Sequence, residues 1–309
     1  MLQVTSQPVP RWPGNFVEMR TRRLFVRAAP CAEGAEPALF IHGLGGSSTN
    51  WTDLMDLLSR PAATRPATPA LACSAVDLPG FGCSPPSAGG DYSINAHAAA
   101  VIDLIEQQRT WPVHLIGNSM GGAVSTRVAA RRPDLVRTLT LVSPALPDRR
   151  PRPLPLRLAV ATAPGIGPLL LDWLRRVPAP DRTDRTIRDL YRDPAQVHPI
   201  RRNEEIAEVL RRDELAYANE ALMLSARSLV TEYFRPGPKS LWRDAARTSA
   251  PTLILHGSHD RLVSPSMAAK AARAFRNARV IVLPGVGHVV MMERPTLAAA
   301  EIRAFLDRS

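Results

Sequence analysis

Lysine is all but missing from this chain of 309 residues: only Lys239 and Lys270 occur among 39 basic residues, and the rest are arginine. With 30 prolines and long alanine runs, that bias is compositional, and it leaves a formal net charge of +11. The arginine doublets Arg131-Arg132, Arg149-Arg150, Arg175-Arg176, Arg201-Arg202 and Arg211-Arg212 are spread along the chain, and aromatic residues make up only 5%. A basic platform with interleaved aromatics for nucleic acid is thereby excluded, and no specific nucleic-acid partner is expected. The diffuse basic surface leaves weak association with an anionic membrane surface open. Cysteine is scarce too: Cys31, Cys73 and Cys83 cannot all pair, and none forms a Cys-x-x-Cys motif, so a reducing compartment is expected.

Long apolar runs are equally absent. The most apolar window, Leu156 to Leu174, is broken by Arg157, Pro164, Gly165, Gly167 and Pro168, well short of the ~20 clean residues of a membrane span. It reads as a broken helix pair. The first twenty residues lack the apolar stretch of about 7–15 residues that marks a signal peptide, so a cytoplasmic protein is expected. His, Cys and carboxylates do not gather at metal-ligand spacing, and neither a metal nor a cofactor is expected.

From about residue 20 to 145, short apolar runs alternate with amphipathic ones. Arg23–Arg27, Ala38–Ile41, Cys73–Asp77, Val113–Ile116 and Thr138–Ser143 read as strands, several apolar throughout, as strands buried on both faces must be. Ile94–Arg109 and Val124–Arg132 carry helical spacing. The alternation predicts a doubly wound, mostly parallel sheet with helices on both faces. Prolines then cluster at 147, 151, 153 and 155, and the next hundred residues hold helix-like stretches without a convincing strand. The strand-helix rhythm returns in Thr252–His256, Ser266–Phe275, Arg279–Leu283 and Pro295–Leu306. The expected organisation is a discontinuous core, 1–145 and 246–309, with a helical cap at 146–245 inserted after the sixth strand.

In Val113-His-Leu-Ile-Gly-Asn-Ser-Met-Gly-Gly122 an apolar strand enters a Gly-x-Ser-x-Gly turn and then an alanine-rich helix. With 18 glycines and 19 serines, independent placement predicts only ~0.06 such pentapeptides per chain of this composition. The strand-turn-helix setting makes coincidence rarer still. Such a turn exposes the Ser119 hydroxyl at a helix N-terminus. Serine needs a positioned base, and the base needs an orienting carboxylate. Asp260 follows a strand in His256-Gly-Ser-His-Asp-Arg-Leu-Val-Ser-Pro265, and His288 follows another in Pro284-Gly-Val-Gly-His-Val-Val290. Asp148, which also follows a strand, is the competing carboxylate. His42 and His256 sit in turns beside the site and read as structural donors, Asp77 as the cap of a glycine turn, and His259 as an ordinary loop residue. Donors for a developing oxyanion are expected from the backbone N–H groups of Leu44, in His42-Gly-Leu-Gly-Gly46, and of Met120.

With these motifs, with Asp77-Leu-Pro-Gly-Phe-Gly-Cys-Ser84 and with Glu293-Arg-Pro295, the chain resembles the α/β-hydrolase superfamily over roughly residues 20–307. The order Ser119, Asp260, His288 is that of the fold. The resemblance implies hydrolysis through an acyl-enzyme, with the insertion as a lid over the acyl pocket. Its apolar residues, Leu222, Met223 and Leu224 among them, read first as cap core and second as pocket lining. The leading expectation is a carboxylesterase or lipase-like enzyme acting on esters of small to medium apolar acyl groups. The alternative is a carbon–carbon bond hydrolase of the meta-cleavage-product type, whose nucleophile motif resembles Gly117–Gly122. Against it, such enzymes carry Trp after the histidine, where this chain has Val289. A non-catalytic protein on the same fold would show a damaged triad or oxyanion loop, and here every element is intact.

Overall fold

The computed structural model describes residues 8–61, 70–148, 152–153, 165–235 and 237–308. Strands β1 (Gly14–Glu18), β2 (Arg23–Ala28), β3 (Glu36–Ile41), β4 (Leu71–Val76), β5 (Val113–Asn118), β6 (Val136–Val142), β7 (Thr252–Gly257) and β8 (Ala278–Leu283) form one sheet in the order β1-β2-β4-β3-β5-β6-β7-β8. From β4 to β8 every pairing is parallel, and β1 and β2 are the antiparallel additions. The sheet is therefore doubly wound and mostly parallel, as the alternation of runs predicts. Strand β1 carried no such signal. Phe16 facing Phe25, ring centroids 5.3 Å apart, Val17 packed on the core and the pairing with β2 hold it as an edge strand.

The apolar strands are dictated by two buried faces. Leu39, Ile41, Leu115, Leu139, Leu141 and Ile254 point into one core with helices α2 (Ile94–Gln108) and α3 (Met120–Arg131). Their neighbours Ala38, Phe40, Ile116, Val142, Leu253 and Leu255 point into the other, against α1 (Thr52–Ser59) and the C-terminal helix Pro295–Leu306. Each such Leu, Ile, Val or Phe contributes about 1.5–3 kcal/mol on burial, so a polar residue without a hydrogen-bond partner in these strands would be costly. Helix α2 starts where Ser93 Oγ accepts the Ala96 N–H at 3.1 Å. Helix α3 is buried from Met120 to Ala129, which its glycines, alanines and serine permit.

Between β6 and β7 the described residues form helices α4 (Ile166–Arg175), α5 (Ala179–Leu190), α6 (Pro199–Glu214), α7 (Ala218–Phe234) and α8 (Leu241–Arg247), with no strand among them. The 156–164 part of the expected broken helix pair lies outside the described residues. Helix α8 crosses the expected boundary at 245: Leu241 and Ala245 join the core that holds α3. Helix α6 is tied to α1 by the Arg201 guanidinium, which donates to both carboxyl oxygens of Asp53 at 2.9 and 2.5 Å. After β7 the chain adds α9 (Met267–Ala274), α10 (Val290–Glu293) and α11 (Pro295–Leu306). Among the described residues no helix is long and apolar enough to cross a membrane.

Candidate active site

Strand β5 delivers Ser119 at φ 52° and ψ −115°, a left-handed conformation that L residues avoid. Holding it costs about 1–3 kcal/mol, which the surroundings must offset. Ser119 N–H donates to Val142 O at 3.0 Å, and Ser119 O accepts the Ala123 N–H at 3.2 Å. The flanking glycines are required by close approach. A Cβ on Gly117 would lie 2.4 Å from Gly121 O, and one on Gly121 would lie 2.2 Å from Ile41 O. Only glycine lets α3 leave the strand this sharply and pack on the β3 backbone.

Because β7 and β8 are adjacent and parallel, with Gly257 opposite Leu283, the loops carrying Asp260 and His288 emerge at the same end of the sheet. His288 Nδ1 donates to Asp260 Oδ2 at 2.8 Å, and both residues are buried. The other oxygen, Asp260 Oδ1, accepts the Leu262 and Val263 N–H groups at 2.8 and 2.9 Å. Burial alone would raise the Asp260 carboxyl, but the charge of His288 and the bond to it hold it below the usual carboxylate range. An imidazole anchored through Nδ1 presents Nε2 as a proton acceptor. Asn118 ties this loop to the serine turn: its Nδ2 donates to Val142 O at 3.0 Å and reaches His288 O at 3.5 Å.

The loop after β3 completes the arrangement. His42 Nε2 accepts the Leu78 N–H at 3.0 Å, so Nδ1 carries the proton and donates to Gly43 O at 2.7 Å. Burial pushes His42 below its ordinary value, consistent with this neutral tautomer. A Cβ on Gly43 would sit 3.2 Å from Ser119 Cβ, so the backbone leading to Leu44 passes directly against the serine. Met120 opens α3, where an N–H lacks an intrahelical acceptor. Asp77 accepts the Ser48 and Cys83 N–H groups at 2.6 and 2.7 Å and caps its turn. His256 Nε2 bonds Val263 O at 3.2 Å, and His259 Nδ1 pairs with Ser258 Oγ at 2.8 Å. Asp148 stands beside Tyr233, and the carboxylate that meets the His288 Nδ1 is Asp260.

The profile of the alpha/beta hydrolase fold family matches residues 37–295. The chain belongs to that family. Lipase 3 of Moraxella sp. (strain TA144) is 28% identical over 276 residues, covering 88% of this chain and 78% of the lipase. Among solved structures, a putative lipase from Acinetobacter baumannii superposes with a TM-score of 0.76 at 20% identity, over 96% of this chain and 91% of that one. A meta-cleavage product hydrolase from Pseudomonas fluorescens IP01 gives 0.71 at 17% identity, over 92% and 95%. At these identities the structural likenesses are likenesses of fold.

Two features of this hydrolase were silent in the sequence. Glu293, buried six residues beyond Gly287, accepts the Gly287 N–H at 2.7 Å and the Arg192 N–H at 3.2 Å. In addition, His288 N–H donates to Leu190 O at 2.7 Å. The end of α5 at His288 N–H and the Glu293 carboxyl at Gly287 N–H therefore hold two successive backbone groups of this loop. The motif Glu293-Arg-Pro295 announced a helix start, whereas the acceptor role requires burial that no spacing reveals. Glu293→Gln is expected to lower kcat by about 10- to 100-fold with little change in KM, since an ångström of misplacement has that effect. Steady-state kinetics that moved KM alone would remove the positioning role.

The second feature is Glu205 on α6, whose Oε1 accepts Asn50 Nδ2 at 3.1 Å above the glycine loop. Burial, reinforced by the charge of Glu208, raises this carboxyl to about 7. Below the ordinary Glu value of about 4.3 it is protonated folded or unfolded. Between there and about 7 the unfolded chain ionises while the folded one stays protonated, so its contribution to stability is lost as pH rises through that window. Glu205→Gln is therefore expected to match the parent in Tm at pH 4 and exceed it at pH 8. A Tm difference independent of pH would contradict the assignment.

Proposed function

We propose that this chain is a serine hydrolase that cleaves carboxylic esters of small to medium apolar acyl groups through an acyl-enzyme. Ser119 Oγ attacks the ester carbonyl while His288 Nε2 takes its proton, and Asp260 holds the imidazole and stabilises its charged form. The tetrahedral oxyanion accepts hydrogen bonds from the Leu44 and Met120 backbone N–H groups. Collapse expels the alcohol, protonated by His288, and water activated by the same imidazole releases the acid. No step requires a metal or cofactor. The observation that carries the reading is the 2.8 Å bond from buried His288 to buried Asp260 at the sheet end where Ser119 is held in its strained turn. The lipase relative supports the ester class.

Residues 146–245 serve as a cap in this reading. Arg212 Nη1 donates to Gly45 O at 3.1 Å, and Leu222 Cδ1 lies 3.5 Å from where a Cβ on Gly45 would be. Helices α6 and α7 thereby place an apolar side chain beside the oxyanion loop, where an acyl chain would run. Labelling by a fluorophosphonate probe, in the parent and in Ser119→Ala, tests the nucleophile. A series of p-nitrophenyl esters of rising chain length then tests the acyl preference, with a maximum expected at short to medium chains. The second reading, carbon–carbon hydrolysis, is favoured by Gly117-Asn-Ser-Met-Gly-Gly122 and by the Pseudomonas fluorescens neighbour. A dienoate ring-cleavage product turned over faster than every ester would establish it.

A further inference from the structure

At the far end of α3 from Ser119 a half-open cavity of about 380 Å³ lies between α3, α8 and the turn that follows α7. Its walls carry Arg127, Arg131, Arg235, Lys239 and Arg247, while Asp244 is the one carboxylate that lines it. Twelve residues of helix at 1.5 Å each put Arg131 roughly 18 Å from Ser119, so this is a separate place.

The cations there are not equivalent. Arg127 is buried, and all five of its N–H donors are engaged. They go to Glu232 at 2.9 and 3.0 Å, Asp244 at 2.8 Å, Asn95 at 3.0 Å and Lys239 O at 3.2 Å. Arg235 shares Glu232, with Nε 3.2 Å from its Oε1. The two carboxylates are thus matched by Arg127 and Arg235, and three cations converge beyond them. Arg131 donates to the neutral Asn95 side chain at 2.6 Å, and Arg247 donates to Pro238 O at 3.3 Å. Lys239 stands exposed on the same wall. Burial and then the charge of Arg127 push Arg131 below its ordinary value, against the pull of Asp244 and Glu232.

We propose that this cavity binds a phosphate-type oxyanion, as inorganic phosphate or as a phosphate monoester group, held by Arg131, Lys239 and Arg247. Guanidinium forks match the tetrahedral oxyanion, and the ammonium adds a point charge. The volume lies in the small-ligand range and is too confined for a nucleic-acid duplex. Arg127 forms the floor and contributes rigidity rather than ligand contact, because no donor of its own is left.

The test follows Tm and calorimetric binding with sodium phosphate and phenyl phosphate against sodium chloride of matched ionic strength. Flotation with phosphatidylcholine vesicles, with and without phosphatidic acid, separates a lipid headgroup from a free ligand. At a hundred-fold excess over Kd, phosphate is expected to raise Tm by roughly 4 °C. Arg131→Gln with Arg247→Gln, or Lys239→Gln alone as a milder change, is expected to weaken binding at least tenfold. The remote pair Arg273→Gln with Arg276→Gln, exposed on or beside α9, is expected to leave it unchanged. Flotation that needs phosphatidic acid and Arg131, with free phosphate inert, supports the site and names the headgroup as its source. Equal weakening in the remote pair, or neither binding nor flotation in the parent, overturns the proposal. None of these readouts requires ester turnover, so failure of this site and failure of the hydrolase reading appear separately.

Discussion

Ser119→Ala is expected to lower kcat on a p-nitrophenyl ester by about 10⁶-fold, leaving only the residual rate that the oxyanion donors and binding sustain. The size follows from the chemistry: without Oγ there is no acyl-enzyme, and a properly oriented His288 has nothing to deprotonate but water. Stability should barely change, because alanine bears the same φ of 52° as serine did and Oγ is not part of the turn's backbone bonding. The combination is diagnostic. An unaltered Tm with the rate gone assigns Ser119 to chemistry, whereas a variant keeping a tenth of the parental rate would falsify the nucleophile assignment. Asp260→Asn should fall by about 10⁴-fold, since the amide favours the wrong imidazole tautomer.

Arg127→Met is expected to have the largest effect on folding of any single change outside the site. It would leave the Asp244 and Glu232 carboxyls, both buried, without the Arg127 guanidinium, with only Arg235 still at Glu232. Burial works against the Arg127 charge, yet the bonds from Glu232 and Asp244 outweigh it and hold the guanidinium above its ordinary value. Breaking one partner of such a buried group typically costs about 3–5 kcal/mol, which corresponds to a fall in Tm of roughly 5–8 °C. The triple change Arg127→Met, Glu232→Gln, Asp244→Asn removes charge on both sides and should recover much of that loss. If the triple variant were no more stable than Arg127→Met, the ion cluster would not be the cause. The same pairing has a positional consequence: Arg127 lies on the helix that begins at Ser119, and Glu232 lies near the end of α7. The cluster therefore fixes the helical segment between β6 and β7 to the helix that begins beside Ser119.

These residues show what could be read without coordinates. Short runs apolar on both faces have one economical solution, a sheet covered twice, so strands β2 to β8 and the parallel winding of β3 to β8 were legible in the residues alone. The serine turn was legible for a different reason. Glycine is demanded at Gly117 and Gly121 by contacts of 2.4 and 2.2 Å that any Cβ would make, so local composition carries the geometry. Asp260 and His288 were placed because each follows a strand, and parallel strands deliver their loops to one end.

What the chain could not announce depends on long-range burial. Edge strand β1 is mostly exposed and has no apolar periodicity. Glu293, Glu205 and Arg127 read as surface charges by type, and only the packing of distant segments turns them into an acceptor for Gly287 N–H, a raised carboxyl and a saturated guanidinium. A side chain's identity and its neighbours in sequence determine the local backbone, and through it the serine turn and the sheet. The field a charge feels is set by groups such as Arg127 and Glu232, which are 105 residues apart. Tertiary structure alone decided how His288 is clamped, how the helical segment meets the glycine loop, and where more cations converge than Glu232 and Asp244 can match.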